Sequence, residues 1–168
     1  ERYDEVNSRL AKICQSDQEN IRLAAFSVFF ANQTKQADPH PFCKNPLDFL
    51  YFGSMYNHYP DVEGLIERIL KEAENEKQVW EPLNKATKSG FQTDSTIFQL
   101  GESVESLKTI IATEIDSYYS KFKTSDCSFV SLWPSEFDLR GWFVRLLPGG
   151  HQTTHIHSGG WLSGVVYL

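Results

Sequence analysis

Apolar side chains recur at helical spacing near the start of the chain. Val6, Leu10, Ile13 and Cys14 form one stripe, and Ile21, Ala24, Ala25, Val28 and Phe29 form another. Two helices are therefore predicted within residues 5–31, joined by "QSDQEN", with Ser16 or Asp17 as the expected cap of the second. Small residues on a short helical pair are the pattern of a helical-repeat unit, whose faces need neighbouring copies to cover them. Pro39, Pro41, Pro46 and Pro60 then break the pattern, leaving room for one or two helical turns over residues 47–52. From Asp61, a candidate cap, Leu65, Ile66, Ile69, Leu70 and Ala73 fall on one helical face with Glu and Lys opposite. Val104, Leu107, Ile111, Ile115, Tyr118 and Phe122 predict a further helix, with Ser103 as its expected cap.

Between and after these helices the periodicity changes. "TKSGFQTD" is expected to turn through Ser89-Gly90 into a short extended segment. "SFVSLWP", "GWFVRLLP" and "WLSGVVYL" are short runs rich in Val, Phe, Trp and Tyr, bounded by Pro or Gly, and read as strands. Helices first and strands afterwards is the α+β order, with the helices packed on one face of an antiparallel sheet. The final run ends where a buried strand would still need a neighbour, and the first residue is Glu. The chain is accordingly expected to be an interior segment, with further strands beyond Leu168.

The stretch "GGHQTTHIHSGG" carries the candidate chemistry. If it is extended throughout, His151, Thr153, His155 and His157 share one face. Alternate residues lie about 6.6 Å apart along a strand, so two imidazoles leaning together can meet at one metal ion. His155 and His157 are the candidate ligands, and His151 suits contact with a substrate or a ligand better than direct ligation. The bland alternative is polar strand surface. Against it stands the apolar, aromatic setting, in which an unpaired imidazole would be costly.

Charge narrows the function classes. A net charge of −6 with no basic–aromatic patch disfavours nucleic acid and anionic membrane surfaces as partners. No apolar run approaches the roughly 20 residues that span a bilayer, and no signal-peptide pattern opens the chain. The three widely spaced cysteines, Cys14, Cys43 and Cys127, argue against a disulfide framework and for a reducing, cytoplasmic setting. "HPFC" lacks the second pair a zinc site would need.

"GWFVRLLPGGHQTTHIHSGGWLSGVVYL" resembles the central motif of the 2-oxoglutarate/Fe(II)-dependent oxygenases, in particular members fused behind tetratricopeptide repeats. "TKSGFQTDSTIF" is similar to the start of that catalytic domain, and "FCKNPLDFL" to the linker before it. The resemblance spans roughly residues 40–168 and is most specific over 141–168. It implies a helical segment over 1–38, a linker and helix over 39–84, and the first part of a double-stranded β-helix (jelly-roll) over 85–168. Implied with it are Fe(II) and 2-oxoglutarate as cofactors, dioxygen as cosubstrate, and a protein, peptide or small molecule as the hydroxylated substrate. Two His and one carboxylate hold iron in such enzymes. His155 matches the first ligand, and His157 stands where the family places a carboxylate. That is a departure, since residues 141–168 contain no Asp or Glu. An all-His site, a carboxylate from elsewhere, or two His completed by water and cosubstrate all remain open. The distal His and the basic residue that grips 2-oxoglutarate would fall on later strands.

Other residues have two readings. Arg145 is a carboxylate clamp or a strand cation at the sheet surface. Trp161 and Trp142 line a pocket or fill a core. Gln92 bounds the mouth of a site or, like Thr93, serves as a hydrogen-bonded turn residue. Two rivals to the oxygenase stand beside it: a jelly-roll that binds metal or ligand without turnover, and a helical-repeat interaction module with an inactive barrel.

Overall fold

A computed structural model describes residues 2–43, 45–94, 97–157 and 159–168. Of the motif residues quoted above, Lys44, Ser95, Thr96 and Ser158 lie outside this set. The fold is α+β: helices α1 (Arg2–Ser16), α2 (Ile21–Thr34), α3 (Val62–Glu74), α4 (Glu102–Phe122) and α5 (Ser128–Ser131), with one antiparallel sheet. Its strands β1 (Val79–Trp80), β2 (Thr87–Gln92) and β3 (Val144–Gln152) lie in the order β1-β2-β3. Among the described residues no helix is long and apolar enough to cross a membrane. The chain falls into two compact units, residues 1–51, 118–135 and 156–166 in one and 52–117, 136–155 and 167–168 in the other.

In the first unit, α1 and α2 form as the apolar stripes predict. The cap of α2 is Asn20, whose Oδ1 accepts from Leu23 N–H at 3.0 Å, in place of Ser16 or Asp17. Ser16 turns its hydroxyl back to the Ile13 carbonyl instead. The core is aromatic. Phe42, Tyr118, Phe122 and Phe129 are buried together, with Phe49, Trp133 and Trp161 packed around them. Ring centroids stand 4.8 Å apart for Tyr118–Phe122 and 5.1 Å for Phe42–Trp161, within the range where aromatic pairs add about 0.5–1.5 kcal/mol beyond area burial. "SFVSLWP" is not a strand here. Ser128 and Phe129 donate to the carbonyls of Pro41 and Phe42 at 3.2 and 2.8 Å, opening the short helix α5. Consecutive burial of Phe129 and Val130 is something a helical turn allows and strand alternation does not.

The second unit is built on α3 and the first part of α4. Leu65, Ile69, Val104, Leu107 and Ile110 form its core with Ile97. Leu65 and Ile69 are fully buried, and each such side chain stabilises the fold by roughly 1.5–3 kcal/mol. Asp61 caps α3 as expected, its carboxylate accepting from Gly64 N–H at 3.1 Å. The cap of α4 differs from expectation: α4 begins at Glu102, and Ser103 and Val104 N–H groups donate to the two oxygens of Glu72, both at 3.2 Å. A carboxylate from α3 thus satisfies the exposed amides of α4 and meets the positive end of its dipole.

The sheet supports the motif histidines. Ser89-Gly90 does not turn the chain; both residues lie inside β2. Ser89 has φ +49 and sits where the register shifts between Lys88 and Gly90, a single β2 residue facing four residues of β3. Gly90 is required there, since a Cβ would stand 2.7 Å from the Arg145 carbonyl oxygen. β3 carries the extra residues and bows out there through Leu147-Pro148-Gly149-Gly150, with Gly149 at φ +82.

The candidate metal-binding histidines and their sheet

β3 ends sooner than the sequence suggests. Gln152 pairs with Thr87, the first residue of β2, and Thr153 N–H still reaches the Ala86 carbonyl at 2.8 Å. Beyond that point the facing chain turns away, Lys85 N–H bonding back to Pro82. His155 and His157 therefore lie past the strand, and the shared strand face expected for His151, His155 and His157 does not form. "WLSGVVYL" likewise forms no ladder among the described residues. A strand exists only where a partner takes its amides.

His155 closes the second unit and His157 belongs to the first, so each is described within its own unit. The His155 ring is exposed, and its Nδ1 lies 2.7 Å from the Thr153 carbonyl oxygen. A carbonyl only accepts, so Nδ1 carries the proton in this bond. Metal-bound imidazoles are commonly oriented by such a bond. His157 is half-buried, and its carbonyl accepts from Gly160 N–H at 2.9 Å. Among the described residues no group of three or more His, Cys, Asp and Glu side chains is arranged to hold a metal ion. The described residues thus do not present a full set of iron ligands.

The other candidates divide between the two faces of the sheet and the aromatic core. Gln92 is buried, and its Oε1 accepts from Thr87 Oγ1 at 2.8 Å. Thr87 Oγ1 in turn accepts from Gln152 Nε2 at 3.0 Å, closing a chain of amides and hydroxyl on the inner face. Thr93 is locked to Phe143, donating through its N–H at 3.0 Å and accepting through Oγ1 at 2.9 Å. Arg145 and His151 face the opposite way. The Arg145 guanidinium lies over the Phe91 ring, 4.8 Å from its centroid, and Phe91 meets Trp80 edge-on at 5.0 Å. Trp161 belongs to the first unit's core, its Nε1–H donating to the Phe129 carbonyl at 3.1 Å. The sheet brings Arg145 and His151 to one surface and separates both from Gln92.

Sequence reasoning missed two features. Lys88 pairs directly with His151 across β2 and β3, and only the left-handed backbone at Ser89 aligns it with Phe91. His58 and Glu114 form a half-buried pair, with Nε2 and Oε1 2.6 Å apart, joining the segment before α3 to α4. Lys88 carried no signal in the pattern, and the 56-residue separation of His58 and Glu114 hid their meeting.

Compared with protein-family models, with curated proteins and with solved structures, the chain matches none.

Proposed function

We propose that this chain belongs to a non-haem iron, 2-oxoglutarate-dependent oxygenase with a jelly-roll catalytic domain, working in the cytoplasm on a protein, peptide or small-molecule substrate. The observation that carries the reading is the His-x-His stretch after Gly149-Gly150, supported by the Thr153 carbonyl that orients the His155 ring through Nδ1. His155 and His157 are the proposed ligands. When bound, iron supplies the redox chemistry that couples 2-oxoglutarate decarboxylation to substrate hydroxylation. The chain's own part is to present the imidazoles: the Thr153 carbonyl holds the His155 proton on Nδ1, and β3 fixes where the stretch leaves the sheet.

Protein prepared without oxygen and mixed with Fe(II) is expected to develop a visible charge-transfer band on adding 2-oxoglutarate, and His155→Ala is expected to abolish it. Absence of both the band and iron binding in the unmodified protein overturns the proposal. The lack of any carboxylate from Gly141 to Leu168 favours one rival, a jelly-roll that binds metal without turnover. Conversion of 2-oxoglutarate to succinate excludes that rival, and binding without conversion supports it.

A further inference from the structure

The outward face of the sheet gathers positive charge in an otherwise acidic chain. Along β2, Thr87, Gly90 and Gln92 are buried while Lys88 is exposed and Phe91 half-buried. The left-handed backbone at Ser89 interrupts the alternation of β2, so Lys88 and Phe91 share the outward face despite their odd spacing. Register adds His151 opposite Lys88, and Arg145 opposite Phe91, with Trp80 on the other side of Phe91. One surface therefore carries Lys88, His151 and Arg145 around Phe91 and the 45% exposed Trp80. Glu81, next to Trp80, is held by the backbone, its Oε1 accepting from Ser89 N–H at 2.7 Å. Residues 141–168 hold no Asp or Glu at all in a chain with 22 acidic residues.

We propose that this face docks an extended acidic peptide segment, its carboxylates meeting Lys88, His151 and Arg145 and its apolar side chains lying on Trp80 and Phe91. Spacing argues for a peptide over a small anion. Lys88 and the Phe91–Arg145 pair are three strand positions apart, on the order of 10 Å, too far for one carboxylate or phosphate to engage both ends. Side chains on one side of an extended peptide recur about every 6.6 Å, so two of its carboxylates together span a distance that one anion cannot. An oligonucleotide has the charge but meets a net −6 at long range, which opposes a dense polyphosphate more than a peptide with a few carboxylates. Trp and Arg are the side chains most enriched at binding hot spots. The proposal does not depend on iron binding.

The test uses a fluorescein-labelled peptide of Glu-Glu-Tyr-Tyr repeats, which presents Glu and Tyr in turn on each side when extended, the same peptide with Lys for Glu, and an unlabelled oligothymidine competitor, read by anisotropy at low and high salt. The Glu-Tyr peptide is expected to bind, to weaken with salt, and to lose about tenfold or more in affinity with Lys88→Glu or Arg145→Glu. Trp80→Ala is expected to weaken binding while leaving the salt dependence unchanged. Lys88→Gln and Arg145→Gln, milder changes at exposed positions, give the same reading should a charge reversal fail to fold by circular dichroism. No binding at low salt, equal binding of the Lys-Tyr peptide, or unchanged affinity in all the charge variants overturns the proposal. Competition by inorganic phosphate at concentrations matching ionic-strength controls, or tighter binding of oligothymidine, overturns it in favour of those ligands.

Discussion

His40 is fully buried in the first unit, and its ring is held in one tautomer. Phe42 N–H donates to Nδ1 at 3.1 Å, so the proton sits on Nε2, which has no hydrogen-bond partner among the described residues. The His40 amide donates to Asp38 Oδ1 at 2.9 Å, and that oxygen also accepts from Ser27 Oγ at 2.5 Å. Protonating the ring would set an Nδ1–H against the Phe42 N–H. Burial lowers the His40 pKa below its ordinary 6.5, with the Asp38 and Asp17 charges pulling the other way. A depressed pKa makes the unfolded chain take up the proton first as pH falls. The stability that depends on neutral His40 is therefore complete above about pH 6.5 and is lost as pH drops through the folded value. Urea midpoints measured down a pH series are expected to decline below about 6.5, and His40→Asn, which keeps an acceptor, is expected to flatten that decline. Nothing at this scale was legible in "DPHPFC" beyond a missing zinc pair; the Phe42 amide that fixes the ring exists only in the folded loop.

At the scale of elements, the helices were legible and their ends were not. The stripes of α3 and α4 follow from the 3.6-residue repeat, a property of local sequence. Caps depend on what else arrives. Asp61 caps α3 from its own flank, so it was readable, whereas Glu72 reaches α4 from a different helix. Glu72→Ala leaves the Ser103 and Val104 amides without that acceptor while both residues stay buried. It is expected to cost about 1–2 kcal/mol in denaturant unfolding, more than its partly exposed side chain suggests. Strands were misread for the corresponding reason. Residues 128–131 have strand-like composition, but the Pro41 and Phe42 carbonyls accept the first amides of a helical turn. β3 stops at Gln152 because the chain before Ala86 turns away, Lys85 N–H bonding back to Pro82.

Across the whole molecule, burial is concentrated in two cores of different character, one aromatic and one aliphatic. Leu65 is fully exposure-free and central to the aliphatic core. Leu65→Ala is expected to destabilise the second unit by about 2–5 kcal/mol, seen as a lower urea midpoint. A much smaller loss would mean that this core collapses around the gap. Charge is as unevenly distributed as burial. The acid-free stretch from Gly141 onward lies partly on the sheet's outward face, where Arg145 covers Phe91 and His151 stands opposite Lys88. The sequence showed the charge asymmetry; the backbone at Ser89 decided which surface received it.

The amino-acid sequence alone determined the amphipathic helices, the α+β order and the His-x-His stretch with its lack of nearby acid, because each is a property of neighbours along the chain. The tertiary structure decided where β3 ends, which face of the sheet holds Arg145 and His151, that Gln92 turns inward to Thr87, and that Trp161 serves an aromatic core. Most of those outcomes turn on groups finding partners dozens of residues away, and periodicity carries no record of such partners.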